Sequence, residues 1–330
     1  MTEAKLNLIP LPPPHKALVL IHFTSVMEAI RGNLAALSHT PSAVELMDKI
    51  ILDCTKENIT QRKNRFFLEG DPGAILIIEF VDHDAEKLEQ RIAAMESHMR
   101  KEGLGYHYPV VTGSDISKVW ALRKAGLGVL SNIPGDGRPV SVIEDTSVNV
   151  EVLEDYISDF NKILDGYGLK CVYHAHISVG ELHLRPILNL KEPKDVQLFH
   201  DIALDTAKLV KKYRGSLSGE HGDGRLRGEF IQLMVGDKNF GLIRTVKRTF
   251  DPLNVFNAGK IIDTPPMNTF LRFEPGHVSP QFDTYFDYSS EGGFMKLIEK
   301  CNGSGDCRKT EITGGTMCPS YMASRDEFTT

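Results

Sequence analysis

Ala74-Ile-Leu-Ile-Ile-Glu-Phe80, followed by a charged amphipathic stretch from Asp84 to Lys101, decides how this chain folds. The first run is short, apolar and β-branched and reads as a strand; the second has the helical period. Upstream, Ala17-Leu-Val-Leu-Ile-His-Phe23 repeats the strand signature and Ser25 to Leu37 the helical one. Downstream, Tyr108 to Thr112 is a short strand, and Asp115 caps a helix running through Trp120 and Arg123 to about Lys124. Residues Leu127 to Arg138 hold Gly, Ser, Asn, Pro and Asp and read as a loop or crossover. Strand, helix and strand then recur as Val140 to Glu144, Val150 to Asp165 and Lys170 to Ile177. Two such β-α-β units predict an α+β fold: a duplicated ferredoxin-like arrangement whose antiparallel sheet is covered by helices on one face.

Farther along, Pro193 to Tyr213 reads as a long helix, Glu229 to Met234 as a short helical stretch, and Phe240 to Phe250 as a helix. The expected organisation is a flexible Pro-rich leader over 1–16, one domain over 17–262, a linker over 263–292 and a Cys-rich tail over 293–330. At 330 residues, 41% hydrophobic and 25% charged, the chain is an ordinary globular one. A net charge of -6 speaks against a nucleic-acid partner. No apolar run reaches the length of a membrane span, and the leader lacks the apolar core of an export signal. Cys54 and Cys171 sit singly in apolar segments, which fits a reducing, cytoplasmic compartment.

The chemistry concentrates in two segments: His174-Ala-His176-Ile-Ser-Val-Gly180-Glu181-Leu-His183 and Ser218-Gly-Glu220-His221-Gly-Asp223-Gly-Arg225. If Val179-Gly180 form a two-residue hairpin loop, His176 stands opposite His183, close enough for both to hold one ion. His174 shares that strand face by the period of two, and Arg185 lies there beside His183. Glu220, flanked by glycine, is the natural third ligand, because two His and one carboxylate form a catalytic zinc set with an open position. A lone histidine is more often a satisfied core residue; four in two short segments are harder to explain that way. Arg123 offers a bidentate guanidinium for a carboxylate substrate, although an Arg on a helix is usually a solvated surface residue. Gly222-Asp-Gly224-Arg-Leu-Arg-Gly228 is no dinucleotide fingerprint, since its third glycine is one residue late and no clear strand precedes it.

These segments resemble the C-terminal half of the FAD-linked oxidases of the vanillyl-alcohol oxidase superfamily, in the branch with D-lactate, glycolate and D-2-hydroxyglutarate dehydrogenases. The family patterns are His-x-Gly-Asp-Gly-Asn-x-His, Ser-x-Glu-His-Gly-x-Gly and Phe-Asp-Pro-x-x-x-x-Asn-x-Gly-Lys. They fall on His176 to His183, Ser218 to Gly224, and Phe250 to Lys260 with Asn257 and Gly259, and the match in order and spacing covers roughly 40 to 262.

The resemblance implies that His176, His183 and Glu220 hold a divalent metal, with zinc expected although such ligands also suit manganese or iron. It makes His221 the base for the substrate hydroxyl, Arg123 the carboxylate anchor, and Asn257, Gly259 and Lys260 part of an FAD site. Glu181 stands where the family has Asn, so it adds charge near the metal as a fourth ligand or a determinant of substrate choice. The family's N-terminal FAD-binding domain has no counterpart here, and Pro41 to Asp48 resembles the segment that links it. A fragment or one half of a split enzyme, inactive alone, is therefore expected, with a 2-hydroxy acid, that FAD-binding domain and an electron acceptor as its partners.

Cys301-Asn-Gly-Ser304-Gly-Asp-Cys307 and Cys318-Pro319 resemble the start of a fused iron–sulfur domain, whose cluster would need further ligands in a full-length parent. Two other functions remain open: a self-sufficient zinc hydrolase in which Glu181 or His221 activates water, and a non-catalytic ferredoxin-like binding domain.

Overall fold

The structure, a computed structural model, describes residues 3–310, 312 and 317–329. Residues 1–2 of the leader and 311, 313–316 and 330 of the tail lie outside the described residues. The chain divides into two compact units, Met1–Val278 and Ser279–Thr330, so the division falls inside the stretch read as a linker.

The first unit is built on one antiparallel sheet. Its strands are β1 (His15–Phe23), β2 (Ala43–Asp48), β3 (Ala74–Asp82), β4 (Val110–Thr112), β5 (Arg138–Pro139), β6 (Ile143–Ser147), β7 (Cys171–His176) and β8 (Glu181–Leu188). The spatial order is β4-β1-β3-β2-β7-β8, with β5 and β6 both pairing β8. Its helices are α1 (Val26–Leu37), α2 (Lys49–Cys54), α3 (Ala85–Lys101), α4 (Ile116–Val129), α5 (Leu153–Tyr167), α6 (Pro193–Lys212) and α7 (Ile231–Phe250). Among the described residues no helix is long and apolar enough to cross a membrane.

The helices cover both faces of the sheet, not one. Ala17, Val19, Ile21, Leu76 and Ile78 pack in the larger core with residues of α1, α3, α5 and α6. The alternate residues Leu18, Leu20, Ile75 and Ile77 pack with Ile51 and Leu52 of α2 and Val119 and Leu122 of α4. The unbroken apolar runs of β1 and β3 carry the reason: a strand without polar alternation has no face to leave in water. Capping explains where helices begin. The side chains of Ser25 and Asp84 accept backbone N–H groups of α1 and α3, and the apolar stripe of α3 is Leu88, Ile92, Met95 and Met99.

Four local expectations change. Pro41 to Asp48 contains an interior strand: β2 sits between β3 and β7 and joins the two halves of the sheet. The helix bearing Arg123 runs on to Val129, and Asp115 precedes it in a 3-10 turn, pairing with Lys118 instead of capping. The two helical stretches after Gly228 are two, as expected, but Gly236 alone separates them within α7, with a φ of 79° that only glycine adopts readily, so the second begins before Phe240.

The fourth change is the hairpin register, in which His174 faces His183 and His176 faces Glu181. Val179 does not take the left-handed conformation that a two-residue turn needs at both positions. A 3-10 turn over Ile177–Val179 and the left-handed Gly180 close the loop instead. A Cβ on Gly180 would lie 1.9 Å from the Val148 carbonyl oxygen. The slip is two residues, so every side chain keeps the face expected of it.

Among the described residues the second unit has two short α-helices, α8 (Phe294–Ile298) and α9 (Pro319–Ser324). An ion pair between Lys300 and Glu291 and a 2.6 Å bond from the Ser279 hydroxyl to Glu299 fasten its first part.

Candidate metal and substrate site

Strict alternation in β7 and β8 sends Ala175, Leu182 and Leu184 into the larger core and leaves His174, His176, His183 and Arg185 on the opposite face. Over that face lies the loop Ser218–Gly222, so the two motifs separated by forty residues meet. The Nε2 atoms of His176 and His183 stand 3.5 and 3.8 Å from the same oxygen of Glu220. One ligand atom from each of these three residues lies within 4.8 Å of the others. Tetrahedral zinc with bonds of about 2.0–2.1 Å spaces its ligand atoms roughly 3.3 Å apart, so small side-chain adjustments close the set. The donor set fits a divalent ion.

Electrostatics favours the same use. Burial, partly offset by Glu144, lowers His183 to about 4, which leaves its imidazole neutral and its lone pair available. His176 Nδ1 lies 2.9 Å from Glu45 Oε1, and this hydrogen bond raises its pKa. Contact with a carboxylate makes Nδ1 the donor, so the Nε2 lone pair points toward Glu220. His174 is buried, and neither ring nitrogen has a hydrogen-bond partner among the described residues. Desolvation takes its pKa well below the ordinary value.

His221 sits beside this set. Its Nε2 is 3.2 Å from Glu220 and its ring stacks on His183 at 5.4 Å. It joins Glu144 and His183 in a second group of ligand-type atoms, outside the His176 group. Arg123 of α4 reaches the same face and pairs with Glu45.

Glu181 lies outside both ligand groups among the described residues. It is buried, and desolvation, a hydrogen bond to Asp145 and the charge of Glu220 raise its pKa to about 7. Two carboxyl groups share a hydrogen bond only when one holds a proton, and Asp145 stays ionised. Burial pushes Asp145 up, but bonds from the Ser218 hydroxyl and from the amides of Glu220 and His221 outweigh it and bring it to about 2.

Asp145 is the organiser of the loop. It occupies a bulge in β6 at a φ of 76°. Its carboxylate accepts from the Glu220 and His221 amides at 2.7 and 3.0 Å, and its carbonyl from Gly219 at 2.8 Å. A Cβ on Gly219 would press within 3.0 Å of the Glu181 carboxyl. Buried Arg227 pairs with Asp145 and donates to the carbonyls of Glu144 and Gly222.

Asn257, Gly259 and Lys260 follow α7 on an accessible segment in which Asn257 is exposed. The neighbouring Ile261 amide donates to the Gly224 carbonyl at 2.8 Å, which ties the third motif to the second. Among the described residues no ligand-type group includes Cys301, Cys307 or Cys318, and no disulfide joins any of the five cysteines.

Sequence reasoning missed Glu45, Glu144, Asp145 and Arg227. The available signal was a carboxylate inside an otherwise apolar strand, as in Ala43-Val-Glu45-Leu-Met-Asp48.

Residues 12–261 match the family described as FAD linked oxidases, C-terminal domain. The D-2-hydroxyglutarate dehydrogenase of Pseudomonas putida is 32% identical over 343 aligned positions, covering 99% of this chain and 33% of that protein. The Escherichia coli protein of the same name is 30% identical, with 99% and 33% covered. The chain thus spans about one third of the length of these relatives. A crystal structure of p-cresol methylhydroxylase with substrate bound shares the fold at a TM-score of 0.51 and 13% identity, covering 76% of this chain and 53% of that one. This chain belongs to the FAD-linked oxidases, as their C-terminal domain.

Proposed function

We propose that this chain is the substrate- and metal-binding part of an FAD-dependent 2-hydroxy-acid dehydrogenase. The observation that carries the reading is the convergence of His176, His183 and Glu220 on one point, with Arg123 and His221 at its edge. The relatives' names and the family match support the reaction class.

Oxidation of a 2-hydroxy acid to the 2-oxo acid breaks one O–H and one Cα–H bond. His221, half exposed at the mouth of the site, takes the hydroxyl proton and can pass it to solvent. The flavin supplies the acceptor of the Cα hydride, held mainly by a domain outside these 330 residues, with Asn257, Gly259 and Lys260 on the surface that meets it. A divalent ion, zinc in our reading, supplies the Lewis acidity that makes the hydroxyl easier to deprotonate. His176, His183 and Glu220 hold it, Glu45 keeps the His176 lone pair turned inward, and Arg123 anchors the carboxylate so that the hydroxyl faces His221.

Turnover separates this reading from a zinc hydrolase. The chain combined with an FAD-binding domain of this family should reduce a redox dye with D-2-hydroxyglutarate, D-lactate or glycolate, and lose that activity in His221→Ala. Ester hydrolysis by the zinc-loaded chain alone, with no dye reduction in the combination, would establish the hydrolase instead.

A further inference from the structure

We infer that Glu45 is a positioning residue that couples the metal ligand His176 to the carboxylate-binding Arg123; this rests on the metal and substrate reading above. Its two oxygens have different partners: Oε1 takes the Nδ1 proton of His176 at 2.9 Å and Oε2 takes an Nη2 proton of Arg123. The three residues come from three elements, β2, β7 and α4, and lie 131 and 78 positions from Glu45 along the chain. Strand β2 is fixed by pairing on both sides, with β3 and with β7. His176 is held in the same way, because β7 pairs with β2 and β8.

Two consequences follow from one carboxylate serving two groups. With Nδ1 held as a donor, His176 cannot adopt the tautomer that would turn an N–H toward the metal. With one Nη2 proton held by Glu45, the Arg123 guanidinium is fixed in rotation, which sets the direction in which its remaining donors can meet a carboxylate. A surface ion pair would do neither, but the side chains of Glu45 and Arg123 are only 13% and 12% exposed. Arg123 Nη2 also lies 3.4 Å from His176 Nδ1, so the three groups form one contiguous unit.

Equilibrium zinc affinity of the 330-residue chain, measured by competition with a chromophoric chelator, tests the idea alongside the visible absorption of the Co2+-loaded chain. Glu45→Ala should weaken zinc binding about 10–100-fold, as loss of an outer-shell partner does, and change the Co2+ bands. The near-isosteric Glu45→Gln covers the case in which the alanine variant fails to fold. One of its two terminal atoms is an NH2 group that cannot accept, so either His176 or Arg123 meets a donor where it now meets an oxygen, and zinc binding or D-2-hydroxyglutarate binding should weaken by at least about tenfold. Zinc and hydroxy-acid affinities within about twofold of wild type in either variant would overturn the role of Glu45 while leaving the metal site standing. Failure of the wild-type chain to bind zinc or Co2+ would overturn the metal reading and this inference together.

Discussion

The two halves of the sheet are used differently. The first runs β1-α1-β2-α2-β3-α3 and the second β6-α5-β7-β8-α6, and the two join where β2 meets β7. On the α2 and α4 face, the first half presents Leu18, Leu20, Ile75 and Ile77, all fully buried. The same face of the second half presents His174, His176, His183, Arg185 and Glu144. An apolar face stabilises by exclusion from water alone. A polar one must have its partners supplied, and here Glu45, Asp145 and Arg227 supply many of them. In the function proposed above, the second half supplies the metal ligands, while the first half is mainly packed scaffold that contributes Glu45 and Arg123 where the two meet.

That contrast can be broken by mutation. Asp145→Ala should have the largest effect, since it leaves buried Arg227 only the 3.5 Å contact to Asp223 as an ion pair and frees the loop of Glu220. A loss of about 3–5 kcal/mol in chemical denaturation is expected, together with loss of metal binding. A loss under about 1 kcal/mol would mean that Asp145 does not organise the site. Leu18→Ala in the apolar half should cost about 2–5 kcal/mol through the cavity it leaves, with zinc affinity unchanged in protein that remains folded. A matching fall in zinc affinity would erase the division of labour between the halves.

A smaller, pH-dependent effect sharpens the comparison inside the polar half. Glu181 rises from 4.5 to about 7 on folding, so the folded chain keeps a proton that the unfolded chain loses. Its contribution to stability is full below about 4.5 and is lost as pH rises through about 7. Glu181→Gln should flatten this decline in metal-free buffer between those values, and identical slopes for variant and wild type would contradict the assignment. Asp145 has the opposite sign: its stabilisation is present above 3.8 and is lost as pH falls through about 2. The smallest effect is expected at Arg31–Glu154, an exposed 3.0 Å pair bridging α1 of one half and α5 of the other. Arg31→Ala should cost under about 1 kcal/mol in the same denaturation assay.

Much of this was legible in the sequence, for physical reasons. Apolar runs such as Ala74 to Phe80 identify strands because burial demands them, and the glycine-spaced motifs mark segments where side chains approach closely. The hairpin register was not legible, because it depends on whether Val179 enters the turn, which is a matter of loop conformation more than of pattern. Glu45 escaped because its partners lie 78 and 131 residues away, and no local rule links them. Asp145 escaped because its role comes from a bulge, and an Asp following a Glu at a strand end looks like solvated charge. Helices on both faces could have been read from the lack of alternation in β1 and β3.

The metal site itself is the claim on which the rest depends. Metal content of the purified chain, loaded with zinc and dialysed exhaustively, should be about one ion per chain in wild type. It should fall to near zero in both His176→Ala and Glu220→Ala, because each removes one of three ligands. A wild-type chain without stoichiometric metal, or either variant retaining it, would contradict the account.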